Sequence, residues 1–309
     1  VKPFVSSYAA ASPAAPWDRN AEGALFDGFA AMDLAGLELP FTGRLHAHDE
    51  SWLADQLRPE WRFIVTCLPG TMNRLKDETP FGLASADEDG RRRALDFIEE
   101  ARRAAAALNS RLGRKAVAAV AVHSAPTLGA GARSSLESFA ESLTELRRRD
   151  WSGAELLVEH CDAFVPAHPP DKGFLRIEDE CAAIKLSEGA APARVLINWG
   201  RSAIETRSAE GPLSHLRRAV EAELLAGLFF SGAAPAHPDY GAWKDSHVPF
   251  SVSCPESILT PDATKNALKT AGNISYLGVK IQPLPKSLDV SARLAMIRAG
   301  LDALTSAGV

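Results

Sequence analysis

The feature that most constrains this chain is an alternation of eight short apolar runs with amphipathic stretches. The runs are Pro3–Tyr8, Gly36–Pro40, Arg62–Cys67, Ala116–His123, Glu155–Glu159, Arg194–Asn198, Gly227–Ser231 and Tyr276–Ile281. Runs this short and this apolar suit strands buried on both faces. Helical patterns lie between them, at Ala21–Asp33, Ser51–Leu57, Gly90–Leu112, Ser134–Arg149, Ile177–Leu186 and Pro212–Leu225. Val290–Thr305 follows the last strand, and Asp262–Thr270 reads as a helix inserted before it. Strict alternation predicts a parallel sheet, and eight strands can close it into a barrel. The rival, an open doubly wound sheet, carries a glycine-rich turn after its first strand. Ser6–Pro13 has no glycine. The expectation is one α/β domain over residues 1–309, an eight-fold β/α (TIM) barrel.

The bulk properties agree. The 309 residues exceed the roughly 250 that this barrel needs. Lys and Arg total 34 against 39 acidic residues, a net charge of −5. Proteins that live on phosphate backbones carry a basic surplus, so nucleic acid is not the expected partner. Cys67, Cys161, Cys181 and Cys254 lie far apart with no C-x-x-C pair, which is neither a disulfide framework nor a structural zinc pattern. No window reaches the ~18 apolar residues of a membrane span, and VKPFVSSYAAASP lacks a signal-peptide core. A cytoplasmic protein with no membrane partner is expected, with a homo-oligomeric state left open.

In such a barrel the loops after the strands form the working face. Polar groups accumulate there. The second strand leads into Arg44, His46, His48, Asp49 and Glu50, and the fourth ends at His123. The fifth ends Glu159-His160-Cys161-Asp162, the sixth Asn198-Trp199-Gly200-Arg201. The seventh opens a loop holding His237, Tyr240, Trp243, Lys244, Asp245 and His247, and the eighth carries Lys280. Glu159 closes the apolar run LLVE, where it either caps a turn or serves chemistry, and Lys280 sits between Val279 and Ile281, where a lysine must reach the barrel mouth or pair with a carboxylate. Arg201 and Glu205, four apart, suit a helix ion pair. Trp199 and Trp243 suit either packing or stacking on a sugar ring. Cys67 and Cys161 read as small buried apolar groups.

The strings LHAHDESW, TCLPGTM, HSAP, EHCDA, INWGRSAIETR and FSG…YGAWKDSH resemble a bacterial family of unknown function among the xylose-isomerase-like barrels. That superfamily also holds sugar epimerases, inosose dehydratase and AP endonucleases. The resemblance implies a divalent metal (Mn²⁺, Mg²⁺ or Zn²⁺) on a Glu, an Asp, a His and a Glu after strands five to eight. Glu159 matches the first position. Asn198 stands where the Asp is expected, Phe229–Ser231 offer no His, and Lys280 replaces the last Glu. Asp245-Ser-His247 resembles the Asp-x-His of AP endonucleases. Replacing Asp by Asn and Glu by Lys makes this corner more positive by three charge units, a poor setting for a dication.

The leading expectation is an enzyme on a small sugar-like substrate, an isomerase, epimerase or keto-sugar lyase that abstracts a proton next to a carbonyl. Glu159 is then the general base or a metal ligand, Lys280 the electrophile, and His123, His48 or His46 the proton shuttle. His46, Asn198, Arg201, Trp199 and Lys244 are expected to bind substrate. If a metal is bound, Glu159, Asp245 and His247 are its expected ligands. Without one, Lys280 takes its place. The alternatives are a metal-dependent AP-endonuclease-like phosphodiesterase and a catalytically inactive sugar-binding barrel.

Overall fold

The computed structural model describes residues 1–11, 16–129 and 131–308. Its strands are β1 (Phe4–Ser6), β2 (Gly36–Pro40), β3 (Arg62–Thr66) and β4 (Val117–Val122). They continue as β5 (Glu155–His160), β6 (Ala193–Asn198), β7 (Leu225–Phe230) and β8 (Tyr276–Val279). All pair in parallel in chain order, and β8 returns to β1 through Phe4↔Gly278 and Val5↔Val279, closing the barrel. Among the described residues, no helix is long and apolar enough to cross a membrane.

The helices begin with α1 (Ser7–Ala10), α2 (Arg19–Ala30), α3 (Glu50–Gln56) and α4 (Leu68–Leu75). Next come α5 (Glu88–Leu112), α6 (Leu136–Arg147), α7 (Ile177–Leu186) and α8 (Trp199–Thr206). The last are α9 (Glu210–Glu221), α10 (Pro261–Ala271) and α11 (Val290–Ser306). Local chemistry explains their limits. Asp87 caps α5 by accepting from Gly90 N at 2.7 Å, and Gly113 ends it at φ +66°. Ala94, Ile98, Ala101, Ala105 and Leu108 repeat at helical spacing along its buried face.

The structure amends the sequence reading in two places. The stretch read as an insertion is α10, the crossover helix between β7 and β8. Short helices α1 and α4 follow β1 and β3 at once, where the sequence pattern predicts strand and loop, and α8 after β6 is the helix that carries Arg201 and Glu205.

Strand alternation then sorts the core into two regions. One set of positions fills the barrel with Phe4, Ile64, Ala121, Leu157, Leu196 and Phe229. The other set, with Leu37, Val65, Val120, Val158 and Ile197, packs against the helices. Because side chains alternate, two residues further along each strand lies the next layer on the same face. Above the apolar filling that step reaches Ser6, Thr66, His123, Glu159, Asn198 and Ser231, all buried. One end of the barrel interior is therefore polar by construction. Gly278 leaves room for the ring of Phe229, since a Cβ there would lie 2.6 Å from it.

Candidate active site

The polar layer centres on Glu159, which is fully buried. Lys280 Nζ donates to its Oε1 at 2.8 Å, and Arg201 Nη1 lies 2.6 Å from the same oxygen. His123 Nε2 is 2.9 Å from Oε2, and Thr66 Oγ1 lies at 3.5 Å. Lys280 also pairs with Glu38 Oε1 at 2.8 Å, so one ammonium is held between two carboxylates. From α8, Arg201 bridges outward: its Nε donates to Asp245 Oδ2 at 2.9 Å. Lys172 reaches that oxygen at 3.2 Å, and His247 Nδ1 faces Oδ1 at 3.2 Å. Asn198 at the end of β6 caps α8 through Arg201 N and accepts from Ser231 Oγ at 2.8 Å.

The electrostatics follow from burial opposed by neighbours. Burial alone would raise the Glu159 carboxyl, but Arg201 and Lys280 hold it well below the ordinary range. Glu38 has Lys280 but no guanidinium, and burial leaves its carboxyl raised. Burial lowers His123 and His247, with the adjacent carboxylates opposing it. Burial would raise Asp245 too, yet Arg201 and Lys172 hold it well below its usual value. Burial pushes the Cys67 and Cys161 thiols up, so neither is a ready thiolate.

A cleft of about 440 Å³ opens beside this cluster, lined by Tyr8, Trp17, Glu22, Arg44, His46 and His48 among others. Trp17 stacks on His48 with centroids 5.0 Å apart. Glu22 accepts from Trp17 Nε1 at 2.5 Å and faces His46 Nε2 at 3.2 Å. Asp49 N donates to His46 Nδ1 at 2.8 Å, so the His46 proton sits on Nε2. Tyr8 joins the two regions: it lines the cleft, and Lys280 Nζ lies 5.8 Å from its ring centroid.

Several sequence expectations need correction. Glu159, Lys280, His123 and Arg201 do converge, but His46 and His48 belong to the cleft beyond Tyr8. Of the two outcomes open to Lys280, the mouth or a carboxylate, it takes the second: it is fully buried and pairs with Glu38 and Glu159. Arg201 does not pair with Glu205, which turns to His160 and His215. Trp199 is buried in the apolar layer and cannot stack on a ligand. Lys244 is exposed and pairs with Asp171 at 3.2 Å. The sequence reading missed Glu38, Tyr8, Trp17, Glu22 and Lys172. Glu38 had a signal, a carboxylate inside the apolar run GLELP. The others had none apart from their neighbours in space.

The profile of the family described as Domain of unknown function (DUF4862) matches residues 4–296. The chain belongs to this family. An uncharacterised protein of Salmonella typhimurium is 33% identical over 279 residues, 89% of this chain and 87% of its relative. Among solved structures, a putative xylose isomerase from Rhodospirillum rubrum covers 100% of both chains, with TM-score 0.66 and 12% identity. The D-psicose 3-epimerase of Clostridium cellulolyticum has TM-score 0.58 and 13% identity, covering 99% of this chain and 98% of its own. These likenesses show the fold, that of the xylose-isomerase-like barrels.

The divalent site that the resemblance implies does not fit this DUF4862 chain. Both Glu159 oxygens already face protein donors, and the position expected to supply a second glutamate supplies Lys280. Between Glu159 and Asp245 stands the Arg201 guanidinium, so Glu159, Asp245 and His247 do not form a metal triad. A dication here would sit against two fixed cations. Elsewhere, His160, Glu205 and His215 bring ligating atoms within 4.8 Å of one another, as do His237, Cys254 and Glu256.

Proposed function

We propose that the chain is an enzyme acting on a sugar or related polyhydroxylated carbonyl compound, moving a proton at the carbon next to the carbonyl. The observation that carries this reading is the Lys280 ammonium, fixed between Glu38 and Glu159 at 2.8 Å each and beneath the tyrosine that borders the cleft. Loss of such a proton builds negative charge on the carbonyl oxygen, and a preorganised cation stabilises that charge without rearranging. Substrate binds in the cleft, where Trp17 offers a flat face and His48 and Arg44 offer donors to hydroxyl groups, while His46, held by Asp49 and Glu22, shapes the wall. A turn of Tyr8 brings the carbonyl to Lys280.

The acid–base roles follow from the charges. Glu159 is so firmly ionised that it is a weak base, and its work is to hold Lys280, Arg201 and His123 in place. Glu38, with its raised carboxyl, is the better proton acceptor, and His123 the shuttle. Isomerisation, epimerisation and elimination all begin with this step.

The complete burial and mutual pairing of these charges favour a second reading, an inactive barrel that binds a sugar. One experiment separates the two. Aldoses, ketoses and their acid derivatives are incubated with the protein in D2O and followed by NMR. The proposal expects deuterium at the carbon next to the carbonyl of a bound sugar, lost in Lys280→Met and Glu38→Gln. Binding without exchange would establish the inactive barrel. Metal-dependent cleavage of abasic DNA would replace both readings.

A further inference from the structure

The opposite face of β5 carries a second polar cluster that the proposed chemistry does not use. Glu159 points into the barrel, so the next residue, His160, points outward to the helices. There it meets Glu180 from α7, Glu205 from α8 and His215 from α9. His160 Nδ1 lies 2.7 Å from Glu180 Oε2, and Ser124 Oγ holds the other Glu180 oxygen at 2.5 Å. His160 Nε2 faces Glu205 Oε2 at 3.1 Å, and His215 Nε2 faces Glu205 Oε1 at 3.4 Å. The two imidazoles are perpendicular, at 89°, with centroids 4.8 Å apart.

We propose that His160 Nε2, His215 Nε2 and the Glu205 carboxylate bind a dication of the zinc type. Three features carry this inference. The first is spacing: a tetrahedral ion with bonds of about 2.0–2.2 Å keeps its ligand atoms about 3.3–3.6 Å apart. The two histidine-to-carboxylate separations are 3.1 and 3.4 Å, and the three ligating atoms all lie within 4.8 Å of one another. The second is the support around the ligands. Glu180 holds the far nitrogen of His160, the carboxylate–histidine arrangement that orients metal-bound imidazole, and Ser124 holds Glu180 in turn. Ala163 N donates to Glu205 Oε2 at 2.8 Å and fixes that carboxylate as well.

The third feature is charge. Glu180 and Glu205 are two buried carboxylates, and one imidazolium between them leaves a net charge of −1 in the group. A dication with two neutral imidazoles brings the same group to zero. A bridging imidazolium leaves His215 only a long contact of 3.4 Å to the same carboxylate, a distance that an ion held between them would shorten to two bonds. Two imidazoles and one carboxylate suit zinc and its neighbours over Mg²⁺ or Ca²⁺. His160 is fully buried, while Glu205 and His215 keep a sliver of exposure through which an ion can enter. The ion would tie α8 and α9 to β5. Since α8 carries Arg201, it would steady the barrel centre from outside.

The test uses the full chain stripped with EDTA, dialysed, and given Zn²⁺. Bound metal is measured by elemental analysis after gel filtration, and Co²⁺ is added separately to read its ligand-field spectrum. The expected result is one Zn²⁺ per chain and a tetrahedral Co²⁺ spectrum, both retained in Cys254→Ser and Asp245→Asn. His215→Ala and Glu205→Gln should lose the ion while the stripped proteins still fold, with the circular dichroism spectrum of the stripped wild type, though Glu205→Gln melts lower because buried His160 loses its carboxylate. Glu180→Gln should weaken binding by about 10- to 100-fold. The proposal is overturned if the wild type holds no stoichiometric zinc, or if zinc persists in His215→Ala and Glu205→Gln. Loss in Cys254→Ser or Asp245→Asn would also overturn it, placing the metal elsewhere.

Discussion

Lys280→Met is the sharpest perturbation of the barrel centre. Methionine keeps the length of the side chain and removes its charge, so packing changes little. What changes is the company of two buried carboxylates. Glu159 keeps Arg201 and His123, but Glu38 loses the cation paired with it. Removing one partner of a buried ion pair costs about 3–5 kcal/mol, because the other charge is left unpaired. Unfolding entropy near 60 °C is about 2.1 cal/mol/K per residue, or about 0.65 kcal/mol/K for this chain. The melting temperature should therefore fall by about 5–8 °C.

The sign of the pH dependence is also fixed. Burial raises the folded-state Glu38 carboxyl above its ordinary value, and Lys280 opposes that rise. Without Lys280 the carboxyl climbs further. A raised acid stabilises the fold fully below its unfolded value and loses that contribution as pH rises through the folded one. The deficit of Lys280→Met should accordingly be small near pH 4.5 and grow toward pH 8. Adding Glu38→Gln should remove much of it, so the two changes are far from additive. Denaturation followed by circular dichroism across this pH range, on all four members of the cycle, is the assay. A Lys280→Met protein as stable as wild type at pH 8, or strict additivity with Glu38→Gln, would refute the reasoning.

Four further outcomes are expected. Gly36→Ala should destabilise by about 3 kcal/mol or more, because φ is +155° and the new Cβ would lie 1.7 Å from Arg62 O. Gly43→Ala, also at positive φ but with nothing within 4 Å, should cost only about 1 kcal/mol in the same melts. Asp245, held low by Arg201 and Lys172, stabilises above its unfolded value and loses that stability as pH falls through the folded one, so Asp245→Asn should flatten acid unfolding below about pH 4. Trp17→Ala should weaken any sugar identified by the exchange screen by about 2- to 10-fold in a binding titration, since it removes a stacking face but no charge.

The barrel was legible because its signal is periodic. Each strand is a continuous apolar run, and runs such as VAAVAV leave no alternative to burial on both faces. Glu159 and Lys280 were legible for the complementary reason, since a charge closing or interrupting such a run needs a partner. Glu38 carries the same signal in GLELP, a charge that interrupts an apolar run as Lys280 does. The partners were not legible. That Arg201 would turn inward to Asp245, 44 residues away, while Glu205 turned outward to His160, depends on the orientation of α8 against the barrel. No local pattern encodes that. His46 and His48 looked like members of the same site because their loop follows a strand, but Trp17 draws them into a separate wall.

The last question is why a barrel should carry such charges at all. Glu38, Glu159 and Asp245 face Lys280, Arg201 and Lys172, three anions against three cations with their side chains largely out of water. Buried pairs seldom stabilise more than apolar groups of the same shape would. One layer below, Phe4, Leu157 and Phe229 fill the same barrel with apolar side chains. A protein selected only for stability would continue that filling upward. Replacing Glu38 and Lys280 together by methionine tests this directly. It removes one anion and one cation and leaves Glu159 with Arg201 and His123 and Asp245 with Arg201 and Lys172. If the charges are there for chemistry, the double variant should melt at or above the wild type, unlike Lys280→Met alone. It should also exchange no substrate proton. A double variant less stable than the single one would mean that the network holds the barrel together, and the argument from its cost to its function would fail.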